Sequence, residues 1–418
     1  MSNILNIKSR QVFDSRGFPT VEAEVYLEDG SFGSAIVPSG ASTGTHEAYE
    51  LRDNNQNYLN KSVLKAVDNI NKKIFKNLKG KSSYDQKELD RIMIDIDGTS
   101  NKSHLGANAI LAVSIANCKA AAVSQKKEIF EYLNKTKNYS LPYPMLNIIN
   151  GGAHANNSLK IQEFMIRPDG AKNFSECLRM SFLIIQNLKK LLNKKKFSTS
   201  VGDEGGFAPS FKSDEHALDF IINAIENSGF NPGKDVSLCL DVAANEIYSN
   251  GIYNIKENKK VNSQDLIKYY EKLTLKYPIK SIEDPIYEDD WDTWKNLTSK
   301  IGKKIQIVGD DLFVTNSQRL KKGIDNKSAN AILIKVNQIG TVTETLETIY
   351  LAQKNSFNTI ISHRSGDTED TFIADLAVAT NSNQIKTGSL ARSERVSKYN
   401  RLLRIEDFNN KKISMAKL

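Results

Sequence analysis

The chain has 418 residues, of which 39% are hydrophobic and 25% charged, a balance that suits an ordinary globular protein of two domains or one large one. Cys118, Cys177 and Cys239 are odd in number and far apart, which excludes a disulfide framework and points to a reducing cytoplasm. A net charge of +8 raises nucleic acid or an anionic substrate as partners, but the lysines are spread over the whole chain and the densest run, KKLLNKKKF at 189–197, reads as a solvated helix end.

The opening residues, MSNILNIKSRQVFDSRG, bring charges before an apolar stretch forms, so no secretory signal is expected. Residues 1 to about 58 alternate in the strand manner, as in TVEAEVYL at 20–27, with a turn at Asp29-Gly30 and a small-residue loop, SGASTG, at 39–44. Residues 61 to about 134 read as helices. The longest apolar one, ANAILAVSIANCKAAAV at 107–123, is interrupted by Asn108, Ser114, Asn117 and Lys119 and reads as a packed helix, not a membrane span. Strands followed by helices predict an α+β domain over 1–134, and the polar stretch with Pro142 and Pro144 near 135–144 predicts a linker.

From 140 to 418 short apolar strands alternate with helical stretches: LCLDVAA at 238, IKSIEDPI at 279, IQIVGDDLF at 305, AILIKVNQIG at 331, TIISHRSG at 359 and QIKTGSL at 384. This alternation predicts an α/β architecture, a C-terminal (β/α)8-type barrel behind an N-terminal α+β capping domain. Each strand ends on a polar residue. Asp241, Glu283, Asp310, Lys335, His363 with Arg364, and Lys386 are separated by 42, 27, 25, 28 and 23 residues, about one βα unit each. A barrel brings such residues to one face, its C-terminal mouth.

Taken alone, Lys335 in ILIKVNQIG reads as a lysine at a strand mouth that reaches water or pairs with a carboxylate. Its neighbours change that reading. Asp241, Glu283 and Asp310 put three carboxylates together, tolerable only beside a cation, and an oxygen-only donor set favours Mg²⁺ over zinc. Lys335, Lys386 and Arg364 complete a pocket suited to a small molecule with several negative charges, such as a phosphorylated carboxylate.

The sequence resembles the enolase family, the phosphopyruvate hydratases of glycolysis, along essentially its whole length. The resemblance runs through DSRGFPTVE at 14–22, PSGASTG at 38–44, NGGAHA at 150–155, IQEFMI at 161–166, VGDEGGFAP at 201–209, SIEDP at 281–285, GDDLFVTN at 309–316, LIKVNQIGT at 333–341, SHRSGDTED at 362–370, IKTGS at 385–389 and YNRLLRIE at 399–406. It implies reversible dehydration of 2-phosphoglycerate with two Mg²⁺ per site. Asp241, Glu283 and Asp310 would hold the first ion and Ser42 of the SGASTG loop would help hold the second. Lys335 would be the base at C2 and Glu204 the general acid at the C3 hydroxyl, with Glu163 beside it, each carboxylate raising the other's pKa. His154 would close over the substrate, Gln162 and Lys386 would support it, and Arg364 and Ser365 would bind the phosphate with His363 on the same wall.

The resemblance further implies a homodimer or higher homo-oligomer. Departures from the family pattern are small: Phe18 for the usual Asn, Asn156 for the Asp of bacterial members, and Asp367 for Glu. Two other readings stand beside this one. One is a lyase or racemase of the same superfamily acting on a phosphate-free acid. The other is a binding protein, an RNA-processing partner or surface adhesin, in keeping with the basic charge.

Overall fold

A computed structural model describes residues 2–41, 43–134, 136, 138–256, 259–408 and 413–418. Near the N-terminus, the strands Ile4–Phe13, Pro19–Leu27 and Phe32–Ile36 form an antiparallel sheet in chain order. The middle strand alternates as its sequence requires, turning Val21, Ala23, Val25 and Leu27 inward and leaving Glu22 and Glu24 to meet Arg10, which donates to Glu24 at 2.7 Å. On its inner face lies the helix Ala107–Ser124. By length and hydropathy this helix is able to cross a membrane, but 83% of it is buried within the protein. Its alanines have a packing reason: a Cβ on Gly33 of the third strand would come within 2.3 Å of the Ala116 carbonyl, so sheet and helix touch backbone to backbone.

The second body is a closed barrel of eight strands among the described residues. Around the ring they are Tyr143–Asn150, Glu163–Arg167, Ser237–Asp241, Ile279–Glu283, Gln306–Gly309, Ala331–Ile334, Asn358–Ser362 and Gln384–Lys386. The last six are the strands expected from the apolar runs. The first two are not, and the predicted linker is corrected accordingly: Pro144 sits inside the first barrel strand, at its register with Ile385. Pro144 lacks a backbone donor, yet Tyr143 and Met145 on either side still pair, so the ladder tolerates it.

Glu163–Arg167 runs antiparallel to both neighbours, while every other pairing around the ring is parallel. The barrel is therefore not a uniform βα repeat. Its interior is filled by Met145, Met165, Cys239, Val308, Ala331, Leu333 and Ile360, packed as a cluster of their own. Helices cover the outside with conventional caps: Asp290 accepts from Thr293 N at 3.1 Å and Thr341 Oγ1 accepts from Glu344 N at 3.1 Å.

The sheet-and-helix body is clasped to the barrel by Asp90, fully buried on the helix Gln86–Asp97. Its Oδ2 accepts from the backbone N and Oγ1 of Thr343, at 3.0 and 2.6 Å, at the start of the barrel helix Val342–Lys354. Burial raises this carboxyl to about 6 despite those bonds. A raised folded-state value means stability present at low pH and lost as pH climbs from the ordinary carboxylate value of 3.8 through about 6. Relative to the parent, Asp90→Asn should therefore gain stability between pH 4 and pH 7, by up to about 3 kcal/mol at 1.36 kcal/mol per unit. Urea unfolding across that range reads the difference, and a pH-independent gap would remove the ionic cost assigned to Asp90.

Candidate active site

The polar strand ends meet at one mouth. Asp241, Glu283 and Lys386 are the last residues of their strands, and Asp310, Lys335 and His363 each follow immediately after one. All of these but Glu283 line one cavity together with His154, Gln162, Glu163, Glu204, Arg364 and Ser365, and Glu283 joins them through its 2.8 Å contact with Lys386. Of the thirteen residues singled out from the sequence, twelve thus come together, and Ser42 lies outside the described residues.

Lys386 is at the centre, 2% exposed. Its Nζ lies 2.8 Å from Glu283 Oε1, 3.0 Å from Asp241 Oδ2 and 3.2 Å from Glu163 Oε2. Glu283 stands across the barrel from it, four strands away in the ring of eight. Burial works against the Lys386 charge, but the surrounding carboxylates outweigh it and hold the ammonium protonated. Burial, reinforced by Asp241, pushes Glu283 well above the usual carboxylate range.

Lys335 makes a short ion pair with Asp310 Oδ2. For both partners burial disfavours the charge, and their mutual attraction prevails, raising the lysine and lowering the aspartate. The pair is held from behind. Gln338 Nε2 donates to Asp310 Oδ1 at 2.8 Å, and Thr315 Oγ1, itself donating to Gln338 Oε1 at 2.8 Å, accepts from Lys335 N at 2.9 Å. Asp284, at φ +39°, accepts from the backbone N of Asp310 and of Asp311 at 2.9 and 2.8 Å and so shapes the turn that carries Asp310.

On the other side are Glu163 and Glu204, with His154 Nδ1 at 3.5 and 3.7 Å from their respective Oε1 atoms. The expectation that each raises the other holds for one of them. Burial and then the charge of Glu204 raise Glu163 well above the carboxylate range. Burial also acts on Glu204, but His363 Nε2 at 3.3 Å, His154, and Arg395 behind them draw it well below. Asn147 Nδ2 adds a bond to Glu204 Oε2 at 3.2 Å. The proton of the pair thus rests on Glu163.

Arg364 meets Glu47 of the N-terminal body through two bonds, at 2.9 and 3.1 Å, and Ser365 Oγ accepts from Ala41 N at 2.7 Å, so residues on both sides of Ser42 lie against this wall. Gln162 Nε2 reaches Asp241 Oδ2 at 3.3 Å. The departures from the family pattern are peripheral to the cavity. Phe18 is 39% exposed under the Arg16 guanidinium, Asn156 is exposed, and Asp367 is buried against Lys398 at 3.1 Å.

Asp241, Glu283 and Asp310 fit a hard divalent ion by chemistry: all three are oxygen donors, and Glu283 Oε2 and the Oε1 of neighbouring Gln162 are buried without a hydrogen-bond partner. Carboxyl groups also outnumber the ammonium and guanidinium groups that line the site, so oxygen donors are in excess there. Among the described residues, the trios whose donor atoms all lie within 4.8 Å of one another are Asp284, Asp310 and Asp311, and His154, Glu163 and Glu204.

Two family descriptions cover the chain. "Enolase, N-terminal domain" matches residues 4–133 and "Enolase, C-terminal TIM barrel domain" matches residues 138–416. The chain belongs to the enolase family. It is 62% identical over 419 residues to the enolase of Pelagibacter ubique (strain HTCC1062), covering all of both chains. As an enolase it is a phosphopyruvate hydratase, a lyase whose substrate is a phosphorylated carboxylate, and the family carries a metal cofactor.

Sequence reasoning passed over Asn147, Glu47, Asp284, Gln338 and Arg395. Asp284 and Gln338 stood inside quoted motifs, SIEDP and LIKVNQIGT, but nothing in their spacing marked them. Asp284→Asn should replace one of its two accepting oxygens with a donor facing a backbone N–H. A loss of about 1–3 kcal/mol is expected in denaturant unfolding, and an unchanged midpoint would show that the Asp310 turn does not depend on Asp284.

Proposed function

We propose that this enolase interconverts 2-phosphoglycerate and phosphoenolpyruvate with Lys335 as the base at C2 and Glu204 as the group that assists loss of the C3 hydroxyl. The observation that carries the reading is their opposition: the strand leading to Lys335 lies four places from that of Glu163 in the ring of eight, with the cavity between. Proton removal and hydroxyl loss thereby fall on opposite faces of one bound molecule. Arg364 and Ser365 bind the phosphate, with His363 beside them, while Gln162 and His154 enclose the substrate.

Asp241, Glu283 and Asp310 would hold one Mg²⁺, and Ser42 would contribute to a second. When bound, the ions would supply the concentrated positive charge needed by a carboxylate that gains a second negative charge on loss of the C2 proton. Lys335 is able to accept that proton only after giving up its bond to Asp310 and shedding its own proton. Lys386 remains charged and faces the carboxylate end of the substrate. The C3 hydroxyl leaves as water, and the proton it takes is delivered through Glu204 from the Glu163–Glu204 pair.

Residues 1–134 are read as a capping domain and 140–418 as the catalytic barrel, in a cytoplasmic homodimer. The three buried free cysteines support a reducing compartment. The basic surface is read as solvated lysine faces.

A coupled assay with 2-phosphoglycerate is expected to show turnover that excess EDTA abolishes and Mg²⁺ restores. Titration calorimetry should show Mg²⁺ binding that Glu283→Gln weakens at least tenfold. Full activity in EDTA, or unchanged ion affinity in the variant, would sink the metal assignment.

The two chemical steps should also separate by mutation. Lys335→Ala is expected to lose both exchange of the C2 proton with solvent and product formation. Glu204→Gln should lose product formation by roughly 10²- to 10⁴-fold yet keep C2 exchange, followed by NMR in heavy water. Exchange at the parent rate in Lys335→Ala would return Lys335 to the role of a paired strand-end lysine.

A further inference from the structure

Arg395 is completely buried, on the helix Ser393–Phe408 beyond the last barrel strand. A buried guanidinium is costly unless its donors are engaged. Nη1 donates to His363 Nδ1 and to the Arg364 carbonyl, each at 2.6 Å, and Nη2 donates to the carbonyls of Ser365 at 2.6 Å and Asp203 at 3.1 Å. Its charge is answered by Asp367 at 3.6 Å and Glu394 at 3.4 Å. One planar cation therefore fixes two segments at once, 363–365 on the phosphate wall and 203–204 at the proposed acid.

The contact with His363 has a chemical direction. Guanidinium has five donors, no acceptor, and does not deprotonate in proteins. The ring nitrogen it meets must therefore accept, which leaves the imidazole proton on Nε2. That nitrogen lies 3.3 Å from Glu204 Oε2. A protonated Nδ1 would set two donors against each other at 2.6 Å. Glu204 thus faces the donor end of a neutral imidazole, which favours its ionised form over that of Glu163.

We propose that Arg395 is a positioning residue that locks His363 as the neutral Nε2–H tautomer and, with its bond to the Asp203 carbonyl, sets the aim of Glu204. This rests on the reading of Glu204 given above, but the tautomer is measurable without it. The full chain, labelled with ¹⁵N in its five histidines, gives two-bond ¹H–¹⁵N correlations that distinguish the tautomers, with the His363 signal identified by its loss in His363→Gln. The expected pattern is a protonated Nε2 and a bare Nδ1 between pH 6 and pH 8. A protonated Nδ1, in either the other tautomer or the imidazolium, overturns the proposal.

Arg395→Lys supplies charge without the two-armed fork. It should keep C2 proton exchange within about twofold of the parent while product formation falls at least tenfold in kcat with little change in KM. Product formation at the parent rate would count against Arg395, whereas absence of C2 exchange in the parent enzyme itself would count against Lys335. Should Arg395→Lys fail to fold, the tautomer measured in the parent chain still decides.

Discussion

Everything at the mouth of the barrel depends on the burial of one ammonium among carboxylates. Lys386 bridges Asp241, Glu283 and Glu163 at 2.8 to 3.2 Å, and Glu283 reaches it from the far side of the ring. Removing these charges from water is unfavourable for each alone, so each strand end is stable only where the others hold it. The consequence is a buried cluster in which carboxyl groups outnumber the cations. The same excess that makes the cluster costly gives it affinity for a hard cation and for the positive groups that would spread charge during proton abstraction.

The reversed strand Glu163–Arg167 is what allows a second, separate pair of carboxylates. In a parallel barrel only residues at strand C-termini reach the mouth. A strand running the other way presents its first residue instead, and Glu163 heads this one, in register with Asp241 and Asn150. The preceding residue, Gln162, arrives at the same face. Glu204 approaches from the loop beyond, with Asn147 donating to it and His363 Nε2, just past a further strand, 3.3 Å away. A carboxyl that keeps its proton and one that has lost it then sit side by side, distinguished by the imidazole and amide aimed at only one of them.

The N-terminal body completes the wall that the barrel leaves open. Glu47 engages Arg364, Ala41 N donates to Ser365 Oγ, and Ser39 and Gly366 exchange backbone bonds at 2.7 and 2.9 Å. The two bodies thus share the arginine and serine assigned to the phosphate. The Gly33 contact holds the sheet that leads into this loop against its helix, and Asp90 ties the same body to the barrel.

Six of the barrel strands and their polar ends were legible in the chain because apolar runs closed by a charged residue carry a period of their own, and the motifs around Lys335, Glu283 and Arg364 named the family. The first two strands were not. Tyr143–Asn150 is buried at every position and opens near two prolines, so it shows neither alternation nor a turn-bounded run. Strand direction leaves no trace in a five-residue segment such as Glu163–Arg167, since pairing is decided by distant partners. Nor did the sequence reveal which of Glu163 and Glu204 keeps the proton, or that Arg395 stands behind His363. Residue identity and spacing determine which groups are available; the charge each one carries is set by what surrounds it, and that is decided only when the ring closes.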